Sequence, residues 1–171
     1  MKFTLTITAG CGKAHVPHLR RNIPRAHRVL NSRLIEMSLA LVGDRMMSKL
    51  HLQFMNIAGP TDVLTFPLDS DEHGRVISGE VIVCVPEAKR RVSGTSVKLR
   101  DELLLYALHG MLHLCGFDDR TAADFKIMHR KEDQILKQLG VGAVFHRSVD
   151  DSTGDDTPGN DSPGLKTRRR R

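Results

Sequence analysis

The stretch Val97–Leu114 constrains the fold more than any other part of the chain. It is long, free of proline and apolar along one side, which predicts a central helix against which the rest must pack. Gly116 follows directly and suits a helix C-terminus. Upstream, residues 2–8 alternate polar and apolar and read as a strand. Val16, Leu19, Ile23 and Leu30 fall at helical spacing, predicting a helix over 17–31 that Pro24 should kink or divide. Residues 33–42, with Leu34, Ile35, Met37, Leu39, Leu41 and Val42, read as a buried strand, and Asp44 as the N-cap of a helix over 45–54. Val63–Phe66 and the β-branched run 76–85 predict a hairpin closed by the polar loop 69–75. Pro86 can open a further helix. Phe125, Met128, Ile135, Leu136 and Leu139 predict an amphipathic helix over about 121–139. The order β-α-β-α-β-β-α-α-α implies an α+β fold, a small mixed β-sheet packed by helices.

A chain of 171 residues suits one core, expected over residues 1–147. Residues 148–171 are rich in Asp, Ser, Gly and Pro and end in Arg168–Arg171. They cannot bury enough apolar surface to offset their ordering entropy, so a disordered polar tail is expected. That tail carries five acidic and five basic residues, so the whole net charge of +6 falls on residues 1–147. A basic folded body favours a polyanionic partner, although a charge this modest also serves solubility alone. No apolar run approaches the roughly 18–20 residues needed to span a bilayer, and the alternating N-terminus lacks the pattern of a signal peptide. A cytoplasmic protein without a membrane partner is expected. The three cysteines, Cys11, Cys84 and Cys115, are odd in number and widely spaced, which argues for reduced thiols and against a disulfide partner or a zinc knuckle.

The chemistry is concentrated in His109-Gly110-Met111-Leu112-His113-Leu114-Cys115-Gly116-Phe117-Asp118-Asp119. At about 3.6 residues per turn, His109 and His113 stand on one face of the central helix, where two imidazoles can grip one cation. Gly116 lets the chain turn sharply, so that Asp118 or Asp119 can swing back as a third ligand. Three protein ligands leave a coordination position for water or substrate, the arrangement of catalytic zinc. Helical zinc proteases carry a glutamate directly after the first histidine; here that position is Gly110, so a protease of that type is not expected.

The run His109–Asp119 closely resembles the signature H-G-x-L-H-L-x-G-[YF]-D-H of the YbeY family of rRNA-maturation endoribonucleases. Pro60-Thr61-Asp62-Val63-Leu64-Thr65-Phe66-Pro67 is similar to that family's P-T-D-V-L-S-F-P, and Gly79-Glu80-Val81-Ile82-Val83 to its G-D-I-x-I strand. Met128–Gly140 resembles its last helix, and the resemblance covers roughly residues 1–140. It implies an α+β metalloprotein with one zinc ion at the end of the central helix, held by His109, His113 and Asp119. It further implies hydrolysis of single-stranded RNA, maturation of the 16S rRNA 3′ end and ribosome quality control in the bacterial cytoplasm, with ribosomal RNA and the ribosome as partners.

Two departures from the family pattern matter. Asp119 stands where the family usually has histidine. A carboxylate remains a competent zinc ligand, but two histidines and one carboxylate also suit Fe2+ or Mn2+. Met55 stands where many members have an arginine thought to meet the substrate phosphate. Arg75, Arg120 and Arg100 are the candidate replacements. Asp118 and Glu80 are the carboxylates to test as a general base, with an orienting role near the ligands favoured for Asp118. Asp62 is expected to organise its own turn. Aromatic residues make up only 4% of the chain, which predicts weak sequence readout of single strands. Two competing classes are a non-catalytic ribosome assembly factor with a structural metal, and a metal-dependent hydrolase of another substrate.

Overall fold

The computed structural model describes residues 2–142 and residue 144; the tail expected over 148–171 lies outside the described residues. Strands β1 (Thr4–Ala9), β2 (Glu36–Val42), β3 (Val63–Ser70) and β4 (Val76–Cys84) form one sheet. Its order is β1-β2-β4-β3, with β1 and β4 both parallel to β2 and with β3 antiparallel to β4. The sheet is therefore mixed, as the element order implied, and β3 forms one of its edges. Among the described residues five helices accompany it: α1 (Val16–Leu30), α2 (Asp44–Met55), α3 (Val85–Val92), α4 (Leu99–Leu114) and α5 (Ala122–Gln138), with a short 3-10 turn, Lys13–His15, before α1.

α1 runs unbroken through Pro24. The proline forfeits one helical hydrogen bond, but Leu19 and Ile23 on one side of it and Ala26 on the other are all buried in the core. Packing thus offsets a penalty of about 3 kcal/mol. Asp44 is the first residue of α2 rather than its cap, which is Gly43. Its carboxylate instead accepts hydrogen bonds from both terminal nitrogens of Arg90 at 2.9 and 2.7 Å, tying α2 to α3. β2 begins at Glu36, three residues later than the start expected at residue 33. β3 extends to Ser70 and so takes in the start of the polar loop, with register shifts after Pro67 that mark a bulge.

α4 is more deeply placed than a one-sided apolar pattern suggests. Every residue from Glu102 to Leu108 is buried, a run of nearly two turns that covers the whole circumference. Helices α1, α3 and α5 surround it away from the sheet. Two glycines set how closely it lies on β4. A Cβ on Gly110 would stand 2.5 Å from Val81 Cγ1, and one on Gly79 would stand 2.5 Å from Leu114 Cδ2. The close approach brings the last two turns of α4 against the β3 edge. The other sheet face carries a smaller cluster of Met47, Leu64, Ile82 and Cys84 beneath α2. Gly116, at φ 88°, ends α4: its amide donates to His113 O at 2.9 Å and the Phe117 amide donates to Leu112 O at 3.0 Å. Thr121 then caps α5, its hydroxyl accepting from the Asp124 amide at 3.1 Å.

Candidate metal centre

His109 and His113 lie one turn apart near the C-terminal end of α4, and each ring is fixed through Nδ1. His109 Nδ1 is 2.8 Å from Glu132 Oε1 on α5, and His113 Nδ1 is 3.0 Å from the Phe117 carbonyl. An acceptor at each Nδ1 places the proton there and leaves a lone pair on each Nε2. The two Nε2 atoms point at one another across 3.0 Å. Asp119, carried back by the turn at Gly116, sets Oδ2 3.5 Å from His109 Nε2 and Oδ1 3.9 Å from His113 Nε2. Ligands at about 2.1 Å from a tetrahedral zinc stand about 3.4 Å apart. The three separations bracket that value, and the ligating atoms all lie within 4.8 Å of one another. The donor set, two neutral imidazoles and one carboxylate with both rings locked from behind, fits one divalent cation.

Behind the trio lies a polar layer that sequence reasoning missed. Glu132 is fully buried, and its second oxygen meets His129 Nδ1 at 2.5 Å. Burial opposes ionisation of Glu132, but hydrogen bonds and charge from His109 and His129 outweigh it and hold the carboxyl below its ordinary range. Burial likewise disfavours protonated His109, yet Glu132, with Asp119 and Asp62 adding, raises its pKa above the usual value. The signal in the sequence was positional. Glu132 falls four residues after Met128 and three before Ile135, on the buried stripe of α5, where a lone carboxylate needs a partner.

Asp118 is gripped by Arg120, whose Nε and Nη2 lie 2.6 and 2.5 Å from Asp118 Oδ2, and accepts from the Asp119 amide at 2.9 Å. The Arg120 hydrogen bond is the main cause of an Asp118 pKa lowered to about 2, which suits a brace for the loop and not a proton acceptor. It thus steadies the backbone of Asp119 rather than a ligand histidine. Glu80 lies on the wrong face. Gly79 and Val81 meet α4, so the alternating side chain of Glu80 points to the α2 side of the sheet, away from the trio. Arg75 is paired with Asp71 at 2.7 Å in the β3–β4 turn and borders a neighbouring cavity beyond His113. Arg100 sits at the opposite end of α4, in a cavity it shares with Arg21, Arg25 and Lys98. Asp62 organises its turn as expected, accepting from the Thr61 hydroxyl at 3.0 Å and the Val63 amide at 2.8 Å.

The family model of Endoribonuclease YbeY matches residues 14–140. The chain belongs to the YbeY family. Proteins named Endoribonuclease YbeY from Leifsonia xyli and Kineococcus radiotolerans are 38% and 36% identical to it. The first alignment covers 59% of this chain and 71% of the relative, and the second 77% and 81%. A third, from Thermobifida fusca, is 34% identical over 60% of this chain and 71% of its own. The solution structure of a Thermotoga maritima protein shares the fold, with a TM-score of 0.54 and 24% identity over 91% of this chain and 100% of that one. All three centre residues, and Glu132 behind them, lie inside the segment matched by the YbeY model. All three cysteines are free, and among the described residues no helix is long and apolar enough to cross a membrane.

Proposed function

We propose that this YbeY-family protein is a single-strand-specific endoribonuclease that needs one divalent cation, and that it acts in the cytoplasm on ribosomal RNA, in 16S rRNA 3′-end maturation and ribosome quality control. The observation that carries this reading is the convergence of His109 Nε2, His113 Nε2 and the Asp119 carboxylate in a chain whose family is named for RNA cleavage. Zinc is the proposed ion; Fe2+ and Mn2+ suit the same donor set.

When bound, such a cation supplies a Lewis acid that polarises a phosphoryl oxygen and lowers the pKa of water. The protein's own groups do the rest. Glu132 and the Phe117 carbonyl hold the two rings so that both Nε2 atoms face the cleft. Asp118 and Arg120 fix the loop that presents Asp119. With Glu80 on the far face and Asp118 held by Arg120, neither is retained as general base. Among the three arginines, Arg120 stands beside the centre in sequence, and it is the one we assign to the approaching phosphate.

The deciding experiment incubates purified protein with single-stranded RNA, with and without chelator, beside His113→Ala. Cleavage lost in both supports the enzyme. RNA binding without cleavage in the wild type supports an assembly factor, and a bound metal without salt-dependent RNA affinity supports a hydrolase of another substrate.

A further inference from the structure

We infer that the apolar half of the metal cleft is a nucleobase subsite, in which Met55 and Phe125 receive the base of a nucleotide next to the scissile phosphate. The inference rests on the proposed action on RNA and names how this chain holds it.

The trio is one end of a cavity of about 620 Å³, far more than a cation and its water need and within the range of small-molecule sites. The other end is apolar. Met55 at the C-terminal end of α2 and Phe125 in the first turn of α5 both line it, 57% and 42% exposed, with Phe66 and Pro67 of β3 between them. Phe66 is held edge-on by Phe54, ring centroids 4.9 Å apart, and Phe125 edge-on by His129 at 4.0 Å. These are large apolar groups kept in contact with solvent beside a polar centre, which costs free energy unless a flat apolar surface covers them. Lysine and arginine are absent from the described lining of this cavity, and the stretch formed by Met55, Phe66, Pro67 and Phe125 has no charged side chain to offer a phosphate.

The strand between the two walls supplies the polar complement. The Cys84 amide donates to the Asp62 carbonyl at 2.8 Å. In an antiparallel ladder this makes residues 62, 64 and 66 the ones bonded to β4. Thr65 then turns its N–H and C=O to the outer edge, and Pro67, which has no N–H, falls on the same outward set. A base seated between Met55 and Phe125 meets a main-chain donor and acceptor at its polar rim. Stacking of this kind tolerates any base, which agrees with the scarcity of side chains suited to sequence readout.

The test uses the full-length, metal-loaded protein and two fluorescent probes of equal length: oligoadenylate, and the corresponding abasic ribose-phosphate chain. Anisotropy is followed over a salt series. The wild type should prefer oligoadenylate. Phe125→Ala should weaken oligoadenylate binding by roughly 5- to 150-fold, and Met55→Ala should weaken it by less, both leaving abasic binding and the salt slope unchanged. Phe125→Leu, which keeps bulk but not the ring, should fall between. Equal wild-type affinity for both probes, or an equal loss on both in the variants, overturns the subsite. Cleavage of oligoadenylate with and without chelator is scored separately. A base preference without cleavage upholds the subsite and removes the proposed activity; cleavage without a base preference does the reverse.

Discussion

Glu132 Oε1 stands 2.8 Å from His109 Nδ1, so a fully buried carboxylate on α5 decides which nitrogen of an α4 histidine faces the cleft. The same carboxylate holds His129 with its other oxygen. One residue therefore joins two helices and aims one proposed metal ligand.

Replacing Glu132 should therefore affect metal binding as well as stability. Glu132→Gln keeps the shape and one acceptor but loses the charge. We expect a 10- to 100-fold loss in metal affinity, the usual cost of removing a partner behind a ligand. Glu132→Ala leaves two imidazoles, buried His129 and partly buried His109, without their acceptor and should cost about 3–5 kcal/mol of stability. Isothermal metal titration and urea unfolding measure the two effects separately.

Gly110 lies between the two histidines, and its missing side chain lets α4 meet β4. In Gly110→Ala the new Cβ would meet Val81 Cγ1 at 2.5 Å and Thr65 Oγ1 at 3.1 Å. The helix must shift away from the sheet, for a loss of about 1–3 kcal/mol. The shift moves His109 with it, so metal affinity should fall as well. An unchanged urea midpoint would show that α4 does not pack as closely as described.

Glu102 is buried on α4, and burial, partly offset by a hydrogen bond from Tyr106, raises its pKa to about 7. The folded state thus binds the Glu102 proton more tightly than the unfolded state does. Stability from this group is full below the unfolded value near 4.5 and is lost as pH rises through about 7. Glu102→Gln should remove that loss. Relative to wild type, the variant should gain on the order of 3 kcal/mol between pH 5 and pH 8, read from urea unfolding in chelator. A stability difference that does not change with pH would contradict it.

Much of the fold could be read from the residues because hydrophobic period and turn chemistry act locally. The four strands, the helix stop at Gly116 and the His109/His113 pair all follow from spacing. The misreadings arise where distant packing decides. Pro24 stays helical because the buried Leu19, Ile23 and Ala26 flank it. Asp44 gives up capping for an arginine 46 residues away. Glu80 resembles a catalytic carboxylate in a motif, yet strand alternation sends it to the far side of the sheet. Glu132 carried a signal, a charge on a buried stripe, but only the approach of α5 to α4 shows that its partner is His109.

Asp119→His converts the donor set to three imidazoles. The variant should still bind zinc but hold Mn2+ less tightly, since carboxylate oxygen is the harder donor. Competition titration with the two ions checks this. Retained Mn2+ affinity would remove Asp119 from the ligand set.

His109, His113 and Asp119 are proposed to share one cation. Elemental analysis of the full chain, purified without added metal and again after dialysis against zinc, manganese or iron salts, tests it most directly beside His113→Ala. Close to one ion per wild-type chain is expected, with a near-complete loss in the variant. A wild-type protein that takes up none of the three ions, or a variant that holds as much metal as the wild type, would contradict it.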